Sequence, residues 1–487
     1  MECKLGKKTV SIIVLMLMLL TIDVAFNIEP VKAGTITVPD DYPTIQEAID
    51  VANPRDTIFV KAGTYHERLL INKGITIVGE RQEVTIIDGE GNGTVVEITA
   101  DGVNLTGFTI ANCSSELYNA GIRLDSVKGC SIIGNIITAN GYVGVYLTDS
   151  SNNIISRNNM TNNWACISLE YSCGNFIVNN NIKANNYGGI SIFYSGNNTI
   201  SRNFITLNKY YGIDLTNSGN NTIFDNKIAA NIETGVESYR SDTNIIIGNL
   251  IADNWRGVQI QESNNNIFYH NNFIDNSEQV YDNSWLPSSG ISPSNNTWDN
   301  GYPSGGNYWS DQTGIDLYSG PFRNETGSDG IGDATYTMDV NNNDRYPLMA
   351  PFSAFDAGIW NGTVYNVDII SNSSLSNFNI DTYGKTVSFN VTGEENQTGF
   401  CRITIPDVIV EDLWQGNYTV LLNGEPWPYR NWTDTANTYI YLNYTHSEHQ
   451  IVIIPEFPST VALLVFLVLI TIPLIFIKKK HNRKTKS

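Results

Sequence analysis

Between residues 130 and 282 the apolar and polar positions recur with a fixed long period. They show neither the simple alternation of a lone strand nor helical spacing. An Asn-x-apolar-x-x-Asn unit occurs seven times in register, in steps of 22 or 23 residues. Its first Asn is Asn135, Asn158, Asn180, Asn203, Asn226, Asn249 or Asn271; its second runs from Asn140 and Asn163 to Asn254 and Asn276. One apolar residue sits between them (Ile137 to Phe273), one precedes the first Asn by three (Ile132 to Phe268), and one follows the second by four or five (Val145 to Val280). The segments are short, β-branched and punctuated by Asn and Gly, which excludes helical repeats. Three short strands per repeat, stacked coil on coil, predict an all-β fold: a right-handed parallel β-helix of about ten coils. Coils then lie about 4.8 Å apart, so residues one period apart touch. The first-Asn column becomes a structural ladder of side-chain amides. A β-propeller is the alternative, but 23 residues are about half a blade.

The flanks predict further parts. Thr44-Ile45-Gln46-Glu47 is a capping box, and Ile45, Ala48, Ile49 and Ala52 share one helical face. A short helix there, in an N-terminal cap over 34–58, would cover the open end of the solenoid. The β-helix proper is expected over 59–294. Asp56 to Val60 and Leu69 to Val78 are its first strands, and Ile75 to Val127 carries two or three coils without the Asn pattern. Residues 295–352 lose the repeat, become rich in Gly, Asp and aromatics, and read as a C-terminal cap segment. Residues 353–455 alternate as in a small β-sandwich, with strands at Thr386 to Val391, Arg402 to Ile405, Tyr418 to Leu422 and Tyr439 to Tyr444.

The termini set an address. In 1–33, Lys4, Lys7 and Lys8 precede the apolar run Val10 to Leu20, and Val31-Lys32-Ala33 ends it as a cleavable secretory signal would. In 456–487, a linker leads to the apolar run Ser459 to Ile477 and a basic tail, which predict a C-terminal transmembrane helix with its tail in the cytoplasm. The part between is then extracytoplasmic. Fifteen Asn-x-Ser/Thr sequons, Asn104 and Asn390 among them, suit a glycoprotein surface.

Composition sharpens this picture. Asn accounts for 61 of the 487 residues, a bias that suggests repeated turns. Residues 34–458 hold 19 of the 29 basic and 46 of the 49 acidic side chains, a net charge of −27. A surface that acidic repels phosphate backbones, so nucleic acid is excluded as a partner. Cys113, Cys130, Cys166, Cys173 and Cys401 are too few and too odd in number for a disulfide framework. Pairs Cys113–Cys130 or Cys166–Cys173, or buried free thiols, are the alternatives.

Pro43-Thr44-Ile45-Gln46-Glu47-Ala48-Ile49-Asp50, Asp56-Thr57-Ile58 and Ala62-Gly63-Thr64-Tyr65-His66-Glu67 resemble the opening of pectate-lyase-like β-helix proteins. With the Asn repeats, the chain resembles the NosD-type β-helix family found in archaeal surface proteins. Gly306-Asn307-Tyr308-Trp309-Ser310-Asp311, Asp329-Gly330-Ile331-Gly332-Asp333 and Asp344-Arg345-Tyr346-Pro347-Leu348 resemble the segment that ends such a helix. Pro455, Glu456 and Phe457, with the apolar run and basic tail, resemble an archaeosortase-type sorting signal. The family name implies copper handling as a maturation factor. Copper sites favour clustered His, Cys or Met. The chain between the termini offers only His66, His270, His446 and His449, of which His446-x-x-His449 has ligand spacing, so copper is not the expected cofactor.

Three constellations carry candidate chemistry. Asp214 and Glu237 share a column one coil apart, in line with Tyr146, Ser168, Ser191, Gln259 and Tyr281. Two carboxylates about 5 Å apart match the geometry of retaining glycosidases, against the alternative of a solvated acidic face. Tyr142, Trp164, Tyr187, Tyr210 and Trp255 crowd the turn after the second Asn, where rings can stack on sugars. Asp329, Asp333, Asp339, Asn341, Asn343 and Asp344 offer clustered oxygens for a structural Ca²⁺, although Asp344 falls where an EF-hand needs Gly. Arg202 and Asp225, adjacent in the column before the first Asn, read as a structural ion pair. The expectation is a membrane-anchored surface protein that binds glycans or envelope proteins. A carbohydrate-active enzyme on the same scaffold is the main alternative, and a metal-maturation factor or an envelope spacer are the others.

Overall fold

Each repeat folds into one coil of three short strands. Thr199–Ser201, Phe204–Thr206 and Tyr211–Thr216 make one coil; Thr222–Phe224, Lys227–Ala229 and Thr234–Tyr239 make the next. The computed structural model describes residues 33–285 and 294–456. The expected signal up to residue 32, the apolar run with its basic tail, and Phe457 lie outside them. Among the described residues no helix is long and apolar enough to cross a membrane. Strands at the same place in successive coils pair in parallel and build three sheets of 11, 10 and 11 strands. Thr199–Ser201 belongs to sheet 1, Phe204–Thr206 to sheet 2 and Tyr211–Thr216 to sheet 3, and parallel pairing throughout excludes a propeller.

The core is built from columns. Ile155, Ile177, Ile200 and Ile223 are fully buried in sheet 1, Ile182, Ile205 and Ile228 in sheet 2, and Ile167, Ile190 and Ile213 in sheet 3. Each Ile stacks on its equivalent one coil away, so the branched side chains form continuous columns through the interior. The stretch Leu69 to Val78 is two strands, not one. Leu69–Ile71 lies in sheet 3 and Thr76–Gly79 in sheet 1, because the chain turns a corner at 72–75. A Cβ on Gly74 would meet the Asp101 carbonyl at 2.7 Å, so only glycine turns there.

At each corner between sheets 1 and 2 from Gly107 onward one residue takes left-handed φ, 55° at Arg157, Arg202 and Asp225 and 57° at His270. The strand ladder cannot continue through such a corner, and a buried backbone N–H without a partner costs about 1–3 kcal/mol. Asn supplies the partner. Backbone N and Nδ2 of Asn203 both donate to Oδ1 of Asn226, each at 3.0 Å, and Asn203 Nδ2 also donates to the Ile177 carbonyl at 2.8 Å. The same bonds link Asn135, Asn158, Asn180, Asn203, Asn226, Asn249 and Asn271, and continue to Asn307. The second-Asn column forms another ladder, from Asn140 to Asn276. Two more columns escaped the sequence reading. Asn153, Asn175, Asn198, Asn221, Asn244, Asn266 and Asn296 form a third ladder ahead of sheet 1. Ser150, Ser172, Ser195, Ser218, Ser241, Ser263 and Ser294 form a fourth, in which each hydroxyl from Ser172 onward accepts the N–H of the preceding serine.

Both ends are closed. Helix Ile45–Val51 buries Ile45, Ala48 and Ile49 against Val38, Ile58 and Ile71. Thr44 Oγ1 accepts the Glu47 N–H, and two more first-turn donors are met from elsewhere: the Glu67 carboxylate accepts the N–H groups of Ile45 and Gln46. At the other end the core columns widen from Ile246 to Phe268 to Trp298, and from Ile251 to Phe273, Trp309 and Tyr336. Successive aromatic rings in these columns stack with centroids 4.1 to 4.3 Å apart.

The chain divides between Ser353 and Ala354. Beyond it lie two five-stranded antiparallel sheets around one core that includes Ile369, Phe389, Ile403, Leu442 and Ile453. All four expected strands are present, within Thr386–Thr392, Thr398–Pro406, Tyr418–Leu422 and Asn437–Thr445, and helix Asp407–Trp414 is an addition to them.

Asn226→Ala removes the acceptor of two Asn203 donors and the donor to the Ile200 carbonyl. It is expected to destabilise the solenoid by at least ~2 kcal/mol, seen as a lower unfolding midpoint in urea. Asn186 lies on the surface and outside the ladders, without left-handed φ, so Asn186→Ala serves as the control. An equal loss there would sink this account of the ladder.

Candidate functional site

The outer face of sheet 3 carries an unbroken polar row. Strand register aligns Arg123, Tyr146, Ser168, Ser191, Asp214, Glu237, Gln259 and Tyr281, one per coil. Alternation produces it: Ile213 and Leu215 point inward, so Asp214 between them points out. Asp214 and Glu237 are direct register partners, as the spacing predicted. Asp214 is nonetheless only 6 % exposed. Burial, and then the Glu237 charge beside it, push its carboxyl up to about 7, against a Thr216 hydroxyl that donates to Oδ1 at 3.0 Å. Glu237 is also raised by burial and partly held down by Arg256. Asp214 is therefore a desolvated carboxyl that titrates near neutrality, beside a Glu237 that burial also raises.

The expected aromatics line one edge of this row. Trp164 is sandwiched between Tyr142 (5.1 Å, 16°) and Tyr187 (4.4 Å, 2°), and Tyr210 tilts against Tyr187 at 5.0 Å. The rings are thus stacked on one another along the solenoid, and Trp164, 38 % exposed, presents an edge rather than an open face. Tyr211 lies inside this rail, buried, its hydroxyl 2.8 Å from Ser191 Oγ. It fits because residue 188 is glycine; a Cβ there would fall 2.1 Å from the Tyr211 ring. Trp255 belongs to a separate group that sequence reasoning missed. The Arg256 guanidinium carbon lies 4.1 Å from the Trp255 ring centroid and 3.9 Å from that of Tyr281. Its Nη1 donates to Gln259 at 2.6 Å and its Nε to Glu278 at 3.3 Å, and Gln259 in turn donates to Glu237 at 3.2 Å. The available signal was an Arg in a column that holds Ala120, Val143, Ala165, Tyr211 and Thr234 before it and an acid, Glu278, one coil after it. Tyr146 and Glu170 form a further hydrogen-bonded pair on the same face.

The candidate calcium residues have other duties. Asp339 Oδ1 accepts the N–H groups of Asn341 and Asn342, and its Oδ2 accepts Asn342 Nδ2 at 2.7 Å. Asn342 Oδ1 in turn accepts the Asn296 N–H, so Asp339 ends the third ladder. Asp344 Oδ2 accepts the N–H of Asn307 and the indole N–H of Trp309, ending the first ladder. Asn343 pairs with Thr337 in a two-stranded ribbon. Asp329 Oδ1 accepts the Ile331 N–H and Asp333 Oδ2 that of Leu317, while Asp316, which no sequence signal marked, accepts those of Asp329 and Gly330. Among the described residues no group of three His, Cys, Asp or Glu side chains is placed to hold a metal ion. Pro455 ends the strand Glu448–Pro455, and the Glu456 N–H donates to the Asn417 carbonyl.

Copper does not fit the donor set. His66 sits 3.4 Å from Glu90 on the surface, His270 stacks on Phe352, His446 Nε2 is 2.9 Å from Ser373, and His449 is bonded to Asn423 and Ser447. Cys113, Cys130, Cys166 and Cys401 are free thiols, and among the described residues no cysteine joins a histidine cluster. Arg202 and Asp225 form the expected ion pair at 3.8 Å.

A family model described as periplasmic copper-binding protein (NosD) matches residues 44–237 and 185–314. No curated protein matches the chain. Among solved structures, the alginate lyase from Paenibacillus sp. str. FPU-7 is 16% identical, with 54% of this chain and 97% of that one covered and a TM-score of 0.41. Pectate lyase Pel9A is 13% identical over 53% of this chain and 81% of its own, also at 0.41. The PL6 family alginate lyase AlyGC is 14% identical over 68% and 55%, at 0.39. These likenesses carry no argument about chemistry.

Asp214 and Asp344 are both held up to about 7, first by burial. The unfolded chain releases these protons near pH 4, whereas the folded protein keeps them until about pH 7. Between those values the native state binds more protons, so stability falls as pH rises through that window and levels off above it. Asp214→Asn removes its share of the slope and is expected to raise stability by about 1–3 kcal/mol at pH 8 while changing little at pH 4, in calorimetric melts across pH. A loss of stability at pH 8 would contradict the desolvated state of Asp214.

Proposed function

This chain belongs to the NosD family, and we propose from that premise that it is an extracytoplasmic β-helix protein which binds an extended glycan along the outer face of sheet 3. The observation that carries the reading is the row from Arg123 to Tyr281: one hydrogen-bonding side chain per coil, in register, beside a rail of stacked aromatic rings. A repeating polymer is the ligand that matches a repeating surface. Its hydroxyls meet the polar row, and its apolar edges meet the rim of the rail, where rings already stacked lose little freedom on binding. Retention at the cell surface by the apolar run Ser459 to Ile477, with Pro455, Glu456 and Phe457 as its sorting signal, belongs to the same proposal.

One observation favours a second reading, a carbohydrate-active enzyme. Asp214, held near 7 beside Glu237, is poised to exchange a proton at neutral pH, the property required of a general acid or base.

A glycan array probed with the full chain tests both. Binding to an extended oligosaccharide is expected, roughly tenfold weaker (about 1.4 kcal/mol) in Trp164→Ala with the unfolding midpoint monitored alongside. Cleavage of the bound glycan, lost by at least ~100-fold in Asp214→Asn, would establish the enzyme instead. Binding that survives Trp164→Ala, or no binding to any glycan, would remove the sheet 3 face as the site.

A further inference from the structure

The charges on the sheet 3 face are unequally answered. Its two guanidiniums are already neutralised from within: Arg123 Nη2 is 3.0 Å from Asp125, and Arg256 is bonded to Glu278 and Gln259 and held between the rings of Trp255 and Tyr281. Neither central carboxylate forms an ion pair among the described residues; Arg256 acts on Glu237 only from beyond ion-pair distance, and no cation is paired with Asp214. Asp214 is more than nine-tenths buried, and its one hydrogen bond there is the Thr216 hydroxyl on Oδ1, so Oδ2 is unengaged. Glu237 takes one bond, from the Gln259 amide on Oε1. Asp214 Oδ2 is not one of the buried orphaned atoms, so it is the oxygen of this largely buried carboxyl that a ligand can reach, and a charged donor placed there makes a charge-assisted hydrogen bond.

Two coils further on, the same face shows what such a ligand looks like. Arg256 places a cation against aromatic rings with a carboxylate and an amide at its edge. Around Asp214 the surroundings repeat those ingredients, with Tyr187 and Tyr211 as the rings and Glu237 as the second carboxylate, but without a cation.

We infer that the glycan bound here carries free amines, as a polymer of amino sugars does, and that one ammonium group seats between Asp214 and Glu237. This rests on the glycan reading above. The ammonium donates to Asp214 Oδ2 and to Glu237 and faces the aromatic rail, a combination of charge-assisted hydrogen bonds and cation–π contact. Polyuronates are excluded by the same field, because their carboxylates would approach two unpaired acids on a domain of net charge −27 counted over residues 34–458.

Binding of the full chain to glucosamine oligomers, N-acetylglucosamine oligomers, galacturonate oligomers and oligolysine, at low and high salt, decides it. Glucosamine oligomers are expected to bind at least ~10-fold tighter than their N-acetylated forms, to weaken with salt, and to lose that preference in both Asp214→Asn and the less buried Glu237→Gln. Equal affinity for acetylated and free amines, or a preference for galacturonate, overturns the amine inference while leaving the glycan reading standing. Failure of all three sugars removes both. Oligolysine binding without glucosamine binding overturns them in favour of a basic protein partner.

Discussion

The structure depends on one constraint: the corners of the solenoid from Phe108 onward interrupt the strand pairing and leave backbone N–H groups buried along the axis. The side-chain amide of Asn answers it because it accepts on one side and donates on the other. Each Asn takes a backbone N–H of the preceding coil on Oδ1 and returns Nδ2 to a carbonyl of that same coil, as Asn226 does for Asn203 and Ile200. Bonds aligned in series polarise one another, so each ladder is worth more than its separate members. The Ile columns fill the interior, but the amides fix where each coil begins and ends.

Function occupies what that scaffold leaves free. Sheet 3 turns one side chain per coil outward, and the coil spacing sets the distance between successive side chains. The Asp214–Glu237 pair results from two acids falling in the same column of adjacent coils, on a face where neighbouring Tyr211, Thr216 and Gln259 withdraw them from water. Burial, more than the mutual repulsion, raises Asp214. The aromatic rail follows the same rule: residues repeated at the coil spacing stack on each other before they can stack on anything else.

Much of this was legible from the chain alone. The period located three strands per coil, two Asn columns, the Asp214–Glu237 register and the Arg202–Asp225 pair. The third Asn ladder was hidden by doubled residues such as Asn152-Asn153, Asn197-Asn198 and Asn220-Asn221, where only the second of each pair turns inward. The serine ladder was hidden because Ser is also common on outward positions. The acidic residues of 329–344 looked like oxygen ligands because spacing shows which atoms are near one another but not which backbone donors they face. Arg256 went unread for a related reason: an isolated cation acquires meaning only from the rings and amide that enclose it.

Asp339 and Asp344 give the assembly a direction. Within each Asn ladder every coil hands its backbone donor to the next, and an amide in that position always has donors of its own still to place. A carboxylate accepts and passes nothing on, so the two ladders that reach this end stop there. The solenoid therefore has a fixed final residue but no fixed length. Duplication or deletion of one whole repeat in the interior leaves every junction chemically unchanged, while the same event beyond Asn307 or Asn342 would strand the terminator inside the stack. Lineages of this fold should vary in coil number by insertion at the middle, with the closing segment inherited as a unit.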